Sequence, residues 1–424
     1  MKSDLTKAFA DYAKDLNQAS RDENIQKAMS RAVKSYRATT DETMRRFPHT
    51  PELAAEVREI KTQAIQNNAA LLREAMASVE RNKGKAFYAR DAEEALRLAL
   101  EIIGRGKVVV KGKSMLGEEL HLREYLEDHG NEVWETDLGE FILQLKKERP
   151  MHILSPAIHV PREQVADIFS KFFQKEVPPD IAAEVGAVRE FLREKYFSAD
   201  VGISGANVVA ADTGAMVIIE NEGNVRLSTG APPVHLLMVG VEKIVPTFQE
   251  AMKVAEVTWR YAQYGVPGYV NIISGPSKTG DIEKVTTYGA HGPKEFYVIF
   301  VDNGRSLMAG DERFSQALHC LRCGGCMYEC PVFQVTAGHF GHTYLGGIGA
   351  IWTAFVSGGL DVAAPLLYTC LRCGRCVERC PMRINVPGMV GELRKMLIYG
   401  ESLPGEDLPE AAIAGGVGFE HAPV

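Results

Sequence analysis

The chain has no cysteine outside two short stretches: all eight lie between residues 320 and 380. It has no run of Lys and Arg with interleaved aromatics, and its net charge is −7, which excludes a general nucleic-acid binder. The first residues, MKSDLTKAFADYAKD, carry charges where a secretory signal needs its apolar stretch. No window of about eighteen uncharged apolar residues occurs. The nearest, residues 346–368, is interrupted by Asp361 and rich in glycine. These absences lead to the expectation of a cytoplasmic protein, peripheral to the inner membrane only through partners. In such a reducing compartment, clustered cysteines mean metal or redox chemistry rather than disulfides.

Nucleotide fingerprints are missing too. The stretch VVVKGKS (residues 108–114) ends like a phosphate loop, but Lys107 stands where the first glycine belongs. SGPSKTGDIE (residues 274–283) has the glycine spacing but places Asp281 and Ile282 where Lys and Ser or Thr are required. No GxGxxG follows a strand. Glycine-rich turns with Lys and Ser leave one candidate, a small-anion site at Lys111, Ser114 and Lys278. AADTGAMVIIENEGN (residues 210–224) sets Asp212, Glu220 and Glu222 around one strand, with the two glutamates expected on one face. Such acids can serve as base or nucleophile, and more often are structural.

What is present is a duplicated motif. CLRCGGCMYECP begins at residue 320 and CLRCGRCVERCP at residue 370. Three thiolates on one tight loop can grip three corners of an iron–sulfur cube, and the fourth must come from elsewhere. In two-cluster ferredoxins the fourth cysteine of each motif ligates the other motif's cluster. The expected sets are therefore Cys320, Cys323, Cys326 and Cys380 for one [4Fe–4S] cluster, and Cys370, Cys373, Cys376 and Cys330 for a second. A pair of zinc sites is the alternative, but structural zinc prefers two CxxC pairs on a longer spacer. His339 and His342, in the 39-residue spacer between Cys330 and Cys370, are expected in packing or partner contacts. Arg322, Arg372, Arg375 and Arg379 sit inside the motifs, where positive charge favours a cluster's reduced state.

Around the motifs the pattern divides the chain. Residues 1–85 form a helical region, with one apolar stripe at Leu5, Phe9, Tyr12 and Leu16 and another from Leu53 through Val57, Ile60 and Ala64 to Leu71, Ala75 and Val79. Thr50 is expected to cap that helix, with Pro51 at its first position. Residues 86–303 alternate helical stretches with strand formers, among them KVVVK, EVWET, MHILS, AMVIIE and EFYVIFVD, which argues a largely parallel sheet. AMVIIENEGNVRLSTG shows a strand and loop with no obvious helix, so part of the sheet is expected to be antiparallel. Residues 304–399 carry the cysteine motifs on short helices, and 400–424 form an acidic, proline- and glycine-bearing tail.

KGKSMLGEE, HILSPAIH, ADTGAMVIIENEGN, SGPSKTGDIE, HGPKEFYVIFVDNGR and the duplicated cysteine motif together resemble the lactate-utilization iron–sulfur subunit of the LutB type. That resemblance implies an α/β LUD domain (a NagB/RpiA/CoA-transferase-like open sheet) with an amino-terminal helical arm and a carboxy-terminal α-helical ferredoxin domain. It also implies an electron-transfer subunit of a three-component system oxidising L-lactate to pyruvate. The implied partners are a cysteine-rich subunit and a second LUD-domain subunit, with electrons passing to a quinone-linked acceptor. Two other readings stay open: a relay for another hydroxy acid, and a CoA- or acyl-transfer enzyme using Glu220 or Glu222.

Overall fold

In a computed structural model, which describes residues 2–404, the chain begins with four helices: α1 (Lys2–Ala19), α2 (Glu23–Arg46), α3 (Thr50–Gln66) and α4 (Asn68–Arg81). Asp22 caps α2 by accepting from the Asn24 and Ile25 amides. The expected cap at Thr50 does not form. His49 stands at the N-cap instead, without a side-chain cap, and the Thr50 hydroxyl donates back to Phe47 O at 2.7 Å. The stripe expected as one helix is broken at Asn67, and Val57, Ile60, Ala64, Leu71, Ala75 and Val79 are buried on both sides of the break.

The strands are β1 (Lys85–Ala89), β2 (Val108–Lys111), β3 (Glu132–Glu135), β4 (Val201–Ser204), β5 (Val208–Ala210), β6 (Ala215–Glu220), β7 (Val234–Gly240), β8 (Ile244–Val245), β9 (Tyr269–Ile273), β10 (Lys278–Thr279), β11 (Thr287–Tyr288) and β12 (Glu295–Val301). Six form one parallel sheet in the order β1-β12-β7-β4-β2-β3. Its central strands are near-continuous Val, Ile, Leu and Phe because both faces are covered. A second sheet, β8-β5-β6-β9, is mixed: β6 runs antiparallel to β5 and to β9. β10 and β11 pair apart from both.

Two local expectations fail. MHILS, read as a strand, is a buried loop between Pro150 and Pro156. His152 Nδ1 accepts from the Leu154 and Ser155 amides at 3.1 and 3.4 Å, so these N–H groups are withdrawn from any ladder. The segment after β6 is not a plain loop either. Glu220 accepts from the Val225 and Arg226 amides at 2.9 Å each and so starts a helix, Asn224–Gly230.

After β12 the chain enters short helices; the first cysteine motif precedes the helices Gly346–Val356 and Gly359–Thr369, and the second lies between these and Val386–Tyr399. A buried polar knot ties this module to the main sheet. Arg305 grips Glu119 through both oxygens at 2.9 and 2.8 Å and Glu242 at 2.7 Å. Tyr344, from the spacer between the cysteine motifs, donates to Glu119 at 2.5 Å, and Asn303 donates to it at 2.7 Å. Burial alone would raise the Glu242 pKa, but Arg305 overrides it and pulls the value down to about 2. No helix among the described residues is long and apolar enough to cross a membrane.

Removing the cation from this knot leaves two buried carboxylates without their partner. Arg305→Met is expected to cost about 3–5 kcal/mol in urea unfolding. Gly240→Ala tests the same knot sterically, since a Cβ there would lie 2.0 Å from Glu242 Oε2 and 2.5 Å from Arg305 Nε. It should cost about 1–3 kcal/mol.

Candidate functional site

Each cysteine motif folds as a loop followed by a one-turn helix, Gly325–Glu329 in the first copy and Arg375–Arg379 in the second. Arg322 and Arg372, at matched positions, take positive φ values of 62° and 54°, followed by Gly324 at 75° and Gly374 at 82°. Side-chain residues in the left-handed region are costly and are held there by the surrounding structure. The two loops curl around two small cavities. One is lined by Cys320, Cys323, Cys326, Cys376 and Cys380. The other is lined by Cys326, Cys330, Cys370, Cys373 and Cys376. Among the described residues no three His, Cys, Asp or Glu side chains converge as ligands of a single ion would; the thiols ring a volume instead.

This donor set fits iron–sulfur groups. Burial pushes the Cys323 and Cys376 thiols up to about 12, and Cys330 and Cys380 to about 11. Neighbouring thiols add to the rise: Cys320 acts on Cys380, and Cys370 and Cys373 act on Cys330. So many thiolates in an apolar shell need a cationic core. The Val332 and Phe333 amides donate to Cys330, and those of Met382, Arg383 and Ile384 donate to Cys380, the contacts that tune cluster sulfurs.

The two copies differ in depth. Leu321 and Leu371 occupy the same place in identical CLRC sequences, yet Leu321 is 6% exposed and Leu371 66%. Cys373 is exposed to solvent. The first copy lies under the amino-terminal helices: Tyr36 of α2 stacks on Tyr328 at 4.5 Å, and Arg379 Nε donates to its hydroxyl at 2.8 Å. Arg372 donates to Pro387 O at 2.9 Å, and Arg375 lies exposed on the surface. His339 pairs with Asp15 of α1 at 2.9 Å, and neither it nor His342 lines a thiol cavity.

The remaining candidates scatter. Lys111 is buried and committed to Glu135 at 2.8 Å and Glu118 at 3.2 Å. Lys278 sits on the separate β10–β11 pair, and Ser114 caps a five-residue helix by accepting from Gly117 N. The three therefore do not line one cavity. Glu220 is spent on backbone amides and on Asn271 Nδ2, at 2.6 Å, and Asp212 accepts from Phe248 N at 3.2 Å. Glu222, exposed beyond the end of β6, lines a larger cavity. The surrounding protein leaves the residue accessible to solvent but strips water from the carboxyl, and Asp137 then repels its charge, pushing its pKa up to about 7.

That cavity, about 280 Å³, was not anticipated from the sequence. It opens at the carboxyl ends of β2, β4 and β7, lined by Ser114, Gly205, Ala206 and Gly240. β2 leads onward to β3 on one side while β4 leads to β7 on the other, the switch point where open α/β sheets bind ligands. Ile153, Arg322 and Tyr344 line both this cavity and the first thiol cavity.

The fold and site together define an α/β domain joined to an iron–sulfur module. The family model "LUD domain" matches residues 72–301, and "4Fe-4S dicluster domain" matches residues 316–384. The chain is 36% identical to lactate utilization protein B of Shouchella clausii over 82% of this chain and 73% of that one. It is 34% identical to the electron transport protein YkgF of Escherichia coli over 83% and 73%. A solved DUF162 family protein from Deinococcus radiodurans aligns with TM-score 0.31 at 14% identity over 55% of this chain and 98% of that one. The chain belongs to the lactate utilization protein B family.

Glu140, beside the Lys111 group, is buried, and its pKa is pushed up to about 8 first by burial and then by Glu118. A carboxyl raised in the folded state contributes stability below its ordinary value of 4.5 that is lost as pH rises through about 8. Glu140→Gln should flatten the fall in melting temperature across that window, measured by calorimetry.

Proposed function

We propose that this chain is the iron–sulfur electron-transfer subunit of a multi-component complex oxidising L-lactate to pyruvate. In this reading it is a non-catalytic or co-catalytic part of an L-lactate oxidoreductase. It works with a cysteine-rich subunit and a second LUD-domain subunit, and its electrons go on to a quinone-linked acceptor. The ligand sets are Cys320, Cys323, Cys326 and Cys380 for one [4Fe–4S] cluster, and Cys370, Cys373, Cys376 and Cys330 for the other. Bound clusters supply one-electron acceptor and donor states, which split the two-electron loss from lactate into single steps.

The observation that carries the reading is the arrangement of the two identical CLRC loops in series. One lies beneath a cavity at the carboxyl ends of the main sheet; the other reaches the surface at Leu371 and Cys373. Cys326 and Cys376 line both thiol cavities and so stand between them. This chain's own residues provide the depth gradient: Tyr36, Tyr328 and Trp352 keep water from the inner loop, while the outer loop is left open to a partner.

Anaerobically reconstituted protein should hold about eight irons and give a low-temperature EPR signal with dithionite. Absence of that signal removes the relay. Cys380→Ser combined with Cys323→Ser should lose no more iron than either alone, whereas Cys380→Ser with Cys373→Ser should lose nearly all. The reverse pattern would assign each fourth cysteine to its own motif. In the native complex, L-lactate should reduce the clusters without dithionite, and Cys373→Ser should abolish onward transfer.

A further inference from the structure

The cavity at the switch point has unequal ends. On its outer side are Glu222, Asp137 and Tyr264. On its inner side four cations gather near Glu242: Lys61, Lys243, Arg305 and Arg322. Two of them are used up. Arg305 is matched by Glu119 and Glu242, and Lys61 Nζ donates to Glu242 O at 2.8 Å. The other two are not. Arg322 is held by the Trp352 and Tyr344 ring faces at 3.8 and 4.3 Å, and its Nη2 is buried with no hydrogen-bond partner. Lys243 lines the same cavity, with no hydrogen-bond or ion-pair partner among the described residues.

A buried guanidinium nitrogen without a partner is costly, and a small anion reaching both it and the half-buried Lys243 supplies what the protein does not. The cavity's size lies near the lower end of small-molecule sites. We propose that it binds a small carboxylate, with Lys243 and Arg322 taking the negative charge and the rest of the ligand reaching toward Ser114 and Glu222. A carboxylate suits the site better than a phosphate, because Glu222 and Asp137 at the outer end repel a second negative charge. Arg322 also lines the first thiol cavity, so occupancy on one side is felt on the other. The proposal rests on the electron-transfer reading and deepens it by naming the class of molecule set against the inner loop.

The test uses the full-length, iron-reconstituted chain, titrated calorimetrically with L-lactate, pyruvate and inorganic phosphate. At least one of the two carboxylates should bind saturably, one per chain. Lys243→Met should weaken that binding by at least about tenfold and Lys243→Arg should restore most of it. Ala206→Leu, which narrows the cavity without altering charge, should also weaken it, and remains informative if Lys243→Met does not fold. The EPR spectrum of the reduced protein should change on adding the ligand in wild type and not in Lys243→Met. No saturable carboxylate binding, or binding indifferent to both variants, overturns the proposal. So does phosphate binding alone, and so does a spectrum that Lys243→Met alters while no ligand does, since the cations then merely balance cluster charge. Iron content and the dithionite signal are read on the same samples. An intact signal without binding sinks the site and leaves the relay standing; binding without a signal does the reverse.

Discussion

Arg305 is the point on which the molecule turns. It follows the last strand of the main sheet, yet the groups it grips come from far apart in the chain: Glu119 after β2, Glu242 after β7 and, through Glu119, Tyr344 of the cysteine module. A fully buried guanidinium tolerates no loose geometry, because each unmatched contact leaves charge in an apolar shell. The knot therefore fixes how the cysteine module sits on the sheet. It also engages Glu119 and Glu242, so Lys243 and Arg322, which line the cavity, are left without an ion pair of their own among the described residues. Position of the module and charge of the cavity follow from the same contact.

The sequence was legible where its signals are local. Cysteine spacing marked the iron–sulfur module, and strand formers between helical stretches marked the parallel sheet. Reading failed where a side chain redirected the backbone. His152 turned MHILS into a loop, and Glu220 started a helix that no apolar period announced. It also failed where function depends on long-range pairing. Lys111 looked like an anion ligand beside GKS, but Glu135 and Glu118 close on it from other elements. Lys243 carried no motif at all. What distinguishes it is a missing partner, and that is visible only once the chain is folded.

The duplicated loops show the limit of motif reading from another side. CLRC is the same word twice, and the first copy is sealed by α2 and the sheet while the second meets solvent. Environment rather than ligand type then separates the two centres. A buried site resists gaining charge more than an exposed one, and hydrogen bonds and nearby arginines shift the balance further. A sequence repeat thus becomes an ordered pair through what packs on it.

The packing of Tyr36 on the first loop has a consequence for how far the sequence there can vary. A Cβ on Gly325 would lie 2.2 Å from the Tyr36 hydroxyl, so α2 and the loop are as close as two backbones with one side chain between them allow. The seam has no room for a side chain at position 325, so the amino-terminal arm and the inner loop are matched at one glycine and one tyrosine, and neither can change without the other.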